Sequence, residues 1–256
     1  MRHFPTLLWH ELRMLAVSPA TYVAGVLFLA LMGTMYFVIL FEYDLSPETA
    51  LPSTIYFQLF WLPVFFMVPL LTMKSVAEER RLGTLEALRT TPATALEIVL
   101  GKYFAAYFLY LGLWALTLIF PWIAQEYLPV GRVDPRLVDP ASLFGGFLFV
   151  AVSGTLYVAV GVFSSSLTRS TLVAGMVAFS LLFILVLSAG LLQRAPIHDL
   201  EHFKWIEPAL AYMQSFRHLE DFCLGVVDSR PFFYYASNTL LVLGLTTLLV
   251  EGRTTA

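Results

Sequence analysis

Six stretches of this chain run for at least twenty residues without a single Asp, Glu, Lys or Arg: 20–41, 53–73, 103–125, 141–168, 170–193 and 231–250. A helix rises about 1.5 Å per residue and bilayer hydrocarbon is ~30 Å thick, so each run can cross it. Peptide N–H and C=O groups find no water there, and each unpaired group costs several kcal/mol. Runs of this length must therefore be helices, whereas a β-barrel shows short alternating segments. The expected fold class is all-α: a polytopic membrane protein with six transmembrane helices. Composition agrees, with 59% of the 256 residues apolar and 13% charged, against roughly 45–50% and about 25% in soluble domains.

Several function classes drop out. A net charge of −3 offers no electrostatic case for nucleic acid. The lone Cys223 can form no internal disulfide, and no zinc-like Cys/His spacing surrounds it. The first apolar run is too long for a signal-peptide core and leads into Glu42-Tyr43-Asp44 without a cleavage pattern, so it is expected to be retained. All five histidines, His3, His10, His198, His202 and His218, lie outside the six runs, which leaves an intramembrane hydrolase or proton-coupled carrier without titratable groups at depth. His10-Glu11-Leu12-Arg13-Met14 fails the HExxH zinc pattern at its last position, and Leu96 stands where a P-loop ending in Gly101-Lys102 needs glycine. No catalytic residue and no cofactor is assigned. His198 and His202 would share one helix face, but two clear ligands are too few for a metal to be assigned.

Lys and Arg are retained in short cytoplasmic loops. The first inter-helix loop has none, whereas the second carries Lys74, Arg80, Arg81, Arg89 and Lys102. The second loop is therefore expected inside, and with six crossings so are both termini. Ahead of the first span, Phe4, Leu8, Leu12 and Leu15 recur at helical spacing opposite Thr6, His10 and Arg13. That pattern predicts an interfacial amphipathic helix over 4–17, ended by Ser18-Pro19; the alternative is an extension of the first span. Pro63 and Pro69 in the second span and Pro121 in the third invite kinks. Ala151, Thr155 and Ala159 form a small-residue row that suits either an internal helix contact or a dimer seam. The 194–230 segment is expected outside, with short helices divided by Pro196 and Pro208.

The loop between the second and third spans carries the functional argument. Gly83 can end an extension of the second span. Thr84 can cap a short new helix, on which Leu85 and Leu88 share one face and Glu86 and Arg89 another. Pro92 stops it, and Thr94-Ala95-Leu96-Glu97 reads as a capping box opening the third span. A short charged and apolar helix slung between two spans reads as a docking knob; the alternative is a solvated loop that only sets topology.

The run Ala77-Glu78-Glu79-Arg80-Arg81-Leu82-Gly83-Thr84-Leu85-Glu86, followed by Pro92 and Gly101-Lys102, closely resembles the AEE(K/R)xxGTLE…P…GK signature of ABC-2 type transporter permeases, and within them the gliding-motility-associated group. Phe163-Ser164-Ser165-Ser166-Leu167-Thr168, and Phe222 with Gly225-Val226-Val227-Asp228-Ser229-Arg230, are supporting matches. The resemblance implies one transmembrane domain over 1–256 in a bacterial plasma membrane. It also implies two cytosolic ABC ATPase subunits as partners and a second permease subunit, identical or a close paralogue. By that match 83–92 is the coupling helix, with Glu78 and Glu79 on its approach. Leu85 and Leu88 would enter a cleft of the ATPase, and Glu86 or Arg89 would set register. The expected function is the permease subunit of an ATP-driven exporter, in contact with membrane lipid, with ATP hydrolysed on the separate subunit. An accessory protein at the outer segment is a further candidate partner. The rival reading is a membrane scaffold that grips a cytosolic partner without transport.

Overall fold

The computed structural model describes residues 4–45, 52–84, 93–127, 139–194, 213–226 and 228–252. Among the described residues there are eleven helices and no strand: α1 (Phe4–Val17), α2 (Pro19–Leu45), α3 (Pro52–Gln58), α4 (Trp61–Thr72), α5 (Ala77–Leu82), α6 (Ala95–Thr117), α7 (Ile119–Tyr127), α8 (Pro140–Leu167), α9 (Thr171–Arg194), α10 (Ser215–Cys223) and α11 (Ser229–Gly252). Six segments are long and apolar enough to cross a membrane: Pro19–Glu42, Trp61–Leu82, Ala95–Ala124, Pro140–Leu167, Thr171–Ser188 and Ser229–Gly252. The protein is thus an all-α polytopic membrane protein.

Proline decides where the spans differ from the uncharged runs. The run 53–73, expected as one helix, is two: α3 ends at Gln58, and the chain turns at Leu59-Phe60 before α4. Pro63 has no N–H to give the Leu59 carbonyl and its ring crowds that position, so the helix restarts instead of passing through. Pro121 acts alike, with the break at Leu118, whose N–H turns back to Ala115 O at 3.2 Å. Pro69, by contrast, is accommodated inside α4. The third span begins at Ala95, well before the uncharged run at 103, because Thr94 and Glu97 close their capping box there. Ser18 separates α1 from α2, so the N-terminal helix is an element of its own; Phe4, Leu8, Leu12 and Leu15 are half-buried while Thr6, His10 and Arg13 are exposed.

α8 is the axis of the bundle, packed against α3, α4, α6, α9, α10 and α11. It starts on Asp139, whose carboxylate accepts from Ala141 N at 3.4 Å and Ser142 N at 3.0 Å, with Pro140 at the first helical position. Its glycines let neighbours close in: a methyl group at Gly146 would overlap the Phe57 ring, at Gly154 the Tyr110 ring, and at Gly161 the Thr72 hydroxyl. The Ala151, Thr155, Ala159 row faces inward. Tyr107 Oη donates to Ala151 O at 2.8 Å, Tyr103 Oη to Thr155 O at 3.2 Å, and Thr239 Oγ1 to Thr155 Oγ1 at 3.2 Å. It is an internal seam between α6 and α11. Cys223, at the end of α10, is buried.

Candidate functional site

The uncharged spans leave almost all ionisable chemistry to the ends of the bundle, and one end gathers α1, α5, the start of α6 and the final turns of α8 and α11. Here the second span does not run straight into α5, as the sequence suggested. It turns at Met73–Val76 because Ser165 of α8 intervenes: its Oγ accepts from Val76 N and Ala77 N, both at 3.0 Å, and donates to Met73 O at 3.1 Å. One hydroxyl thus closes α4 and opens α5, which is how the triple serine of the sequence enters the site. Ser165→Ala is expected to cost about 1 kcal/mol of stability, the usual loss for a helix-capping hydroxyl. A thermal unfolding midpoint indistinguishable from wild type would contradict that role.

α5 places Glu78 and Glu79 in its first turn and Arg80 and Arg81 in its last, the order a helix dipole favours. The exposed Arg81–Glu78 pair at 3.6 Å contributes little. Arg80 does more: its guanidinium donates to Ser166 O, and to Leu249 O at 3.2 Å. Both acceptors lie in the last turn of a helix, α8 or α11, where carbonyls have no intrahelical partner, so one side chain ties α5 to two C-termini. Gly83 then ends α5 with φ +72°, the left-handed backbone that costs an ordinary residue roughly 1–2 kcal/mol. The Thr84 hydroxyl reaches back to Glu79 O at 3.4 Å.

The centre of the site is Lys102. Its side chain is 2% exposed, and its Nζ donates to Glu11 Oε1 at 2.7 Å and Glu79 Oε1 at 2.5 Å. The two carboxylates, from α1 and α5, are 15% and 21% exposed. Burying an ammonium costs several kcal/mol unless it is paired and hydrogen-bonded, and two carboxylates supply that here. Gly101 completes the arrangement: a Cβ there would lie 3.5 Å from Leu7 Cβ and 3.7 Å from Leu8 N, so only a small residue lets α1 cross α6 this closely. Phe4 stacks edge-on to Phe104, with centroids 5.9 Å apart. The Gly-Lys pair is thus a crossing point and an ion anchor. Glu79 Oε2 is buried and has no hydrogen-bond partner among the described residues.

Of the residues singled out from sequence, Glu78, Glu79, Gly83 and Thr84 stand at or beside this cluster. Leu85, Glu86, Leu88, Arg89 and Pro92, the body of the expected coupling helix, lie outside the described residues, as do His198 and His202. Sequence reasoning assigned Glu11, Arg80, Lys102 and Ser165 no place in the site. Glu11 could have been found: three residues after Leu8 and four after Leu7, it is a carboxylate on the apolar face of an amphipathic helix, where an unpaired charge is costly.

A family model described as "ABC-2 family transporter protein" matches residues 40–250. No curated protein matches the chain.

Proposed function

This chain belongs to the ABC-2 family of transporter proteins and is the permease component of an ABC transporter, a multi-pass membrane protein whose family associates with an ABC ATPase; from that premise we propose that the Lys102 cluster is where a cytosolic ATPase's motion enters the bundle. The chain after Gly83 is the docking helix of this reading, comprising Thr84, Leu85, Glu86, Leu88, Arg89 and Pro92. Leu85 and Leu88 seat in the ATPase cleft, and Glu86 and Arg89 set register. The observation that carries it is the double grip of Lys102 on Glu11 and Glu79. Together with the hold of Arg80 on α8 and α11, it makes a displacement of α5 act on four helices at once. Coupling needs a contiguous element with discrete arrangements, and a buried ion group is one that does not deform continuously.

In this reading the Lys102 end faces the cytosol, both termini lie inside, and α1 rests in the membrane interface with Trp9 and Met14, both exposed, toward lipid. Two permease subunits pair, with two ATPase subunits beneath them. The face of α4 and α9, where the exposed Phe66, Phe179 and Phe183 lie side by side, supplies the apolar surface for that pairing. Transport is outward, the membrane is a bacterial plasma membrane, and the loop motif supports a place among the gliding-motility-associated permeases.

Leu85→Asp is expected to abolish stimulation of the partner ATPase while membrane insertion and yield stay normal; Gly83→Pro should abolish it too, at a cost in stability, because proline cannot adopt the positive φ that Gly83 supplies. The measurement is ATP hydrolysis and co-purification of the reconstituted complex. Unchanged pull-down and hydrolysis in both variants would reject the docking role. Retained pull-down with no ATP-dependent flux in the wild type would instead favour a scaffold.

A further inference from the structure

At the other end of the bundle a second polar site lies between α10 and the start of α11, in a cavity of about 240 Å³. Its wall carries two guanidiniums, Arg217 and Arg230, two carboxylates, Asp221 and Asp228, and the imidazole of His218. At ~30 Å³ per water the cavity holds about eight waters, room for a phosphate and a short amine. It sits at the start of α11, a helix long and apolar enough to cross a membrane; a bilayer crossed by that helix has its head groups near the helix ends.

The groups are not consumed by the fold. Arg217 is exposed and makes no hydrogen bond or ion pair among the described residues. Arg230 meets Asp228 only loosely, 3.6 Å from Nε to Oδ2, with side chains 71% and 47% exposed. The other Asp228 oxygen accepts from Arg230 N at 3.2 Å and so caps α11. Asp221 carries no ion pair among the described residues. His218 differs: it is 8% exposed, and its Nδ1 lies 3.4 Å from Tyr235 Oη, in a buried hydroxyl group with Ser215 and Tyr157. The other ring nitrogen has no hydrogen-bond partner among the described residues, in a residue that lines the cavity. Burial holds this imidazole below its usual range, reinforced by Arg217 and opposed by Asp221 and Asp228, so it is mainly neutral at pH 7 and adds a hydrogen-bonding group without charge.

Equal numbers of guanidiniums and carboxylates disfavour a plain anion, which would meet Asp221 and Asp228, and equally a plain cation. Exposed Leu224 and Val226 on the connecting turn give the rim an apolar edge suited to the acyl boundary of a bilayer. The geometry points to a binding site for a zwitterionic phosphate ester: its phosphate on Arg217 and Arg230 with His218 as a neutral partner, and its ammonium on Asp221 and Asp228. A phospholipid head group and a soluble amino-phosphate share that chemistry. The site is independent of the ATPase-docking reading and does not fall with it.

The test uses the full chain in vesicles of equimolar phosphatidylethanolamine and phosphatidylglycerol, extracted in mild detergent and weighed intact by native mass spectrometry, with a parallel titration by O-phosphoethanolamine. Wild type is expected to retain the zwitterionic lipid preferentially. Arg217→Gln and Arg230→Gln should each lower retention about tenfold, the scale of one charge-assisted hydrogen bond. Asp221→Asn should shift preference toward phosphatidylglycerol. Lipid retention supports a head-group site; binding of O-phosphoethanolamine without lipid retention supports a soluble ligand of the same chemistry. Binding of neither, or retention of both lipids alike and unchanged by the arginine variants, overturns the proposal. Arg217 is exposed, so Arg217→Gln folds normally and a negative result with it counts.

Discussion

Lys102→Ala is expected to destabilise the protein by about 3 kcal/mol, because it strands two carboxylates that share one ammonium. Removing one partner of a buried pair costs roughly 3–5 kcal/mol, and the lower end applies where, as here, the carboxylates keep 15% and 21% exposure. The same principle gives the control. Replacing all three groups with neutral residues of similar shape, Glu11→Gln with Glu79→Gln and Lys102→Met, should restore most of the lost stability. If the ion group is the transmission element, this triple variant folds near wild-type stability yet loses ATP-driven transport. Thermal unfolding by size-exclusion fluorescence reads the first quantity, and reconstituted ATPase activity with flux reads the second. Full transport by the triple variant would reduce the cluster to structural glue.

The second large effect belongs to the bundle axis. Gly161 of α8 leaves no room for a methyl group against the Thr72 hydroxyl of α4, and Thr72 is fully buried and held by its own bond to Val68 O at 2.8 Å. Gly161→Val should therefore cost about 1–3 kcal/mol by overpacking. Adding Thr72→Ala should return part of that loss, since contacting residues couple by roughly 0.5–3 kcal/mol. Strictly additive unfolding free energies in this double-mutant cycle would show that the two helices do not meet as described.

Several local features could be read directly. The Thr94–Glu97 capping box, the left-handed Gly83 and the break at Ser18-Pro19 depend on residues within a few positions of one another, and local sterics and hydrogen bonding decide them. The cluster itself was less legible. Glu11 and Glu79 lie far from Lys102 in the chain, and nothing in local pattern says which carboxylates a buried ammonium will find. The second span does reach Gly83 as read, but the turn inside it at Met73–Val76 was not legible for the same reason: Ser165, from another helix, offers the acceptor that lets the chain turn there.

What the amino-acid sequence determined alone is the class: six uncharged runs, each long enough for hydrocarbon, leave helices as the only way to satisfy the backbone. It also determined helix ends where a glycine or capping residue acts on its own neighbours, as at Gly83 and Thr94, but not that the helix breaks ahead of Pro63 while Pro69 sits inside one. Only the tertiary structure decided that the small row of α8 is an internal seam, that Arg80 closes two helix ends, and that Lys102 joins α1 to α5. Each of these is a pairing between segments distant in the chain, and side-chain charges and hydroxyls are indifferent to sequence separation: they take whichever partner the packed bundle brings within about 3 Å.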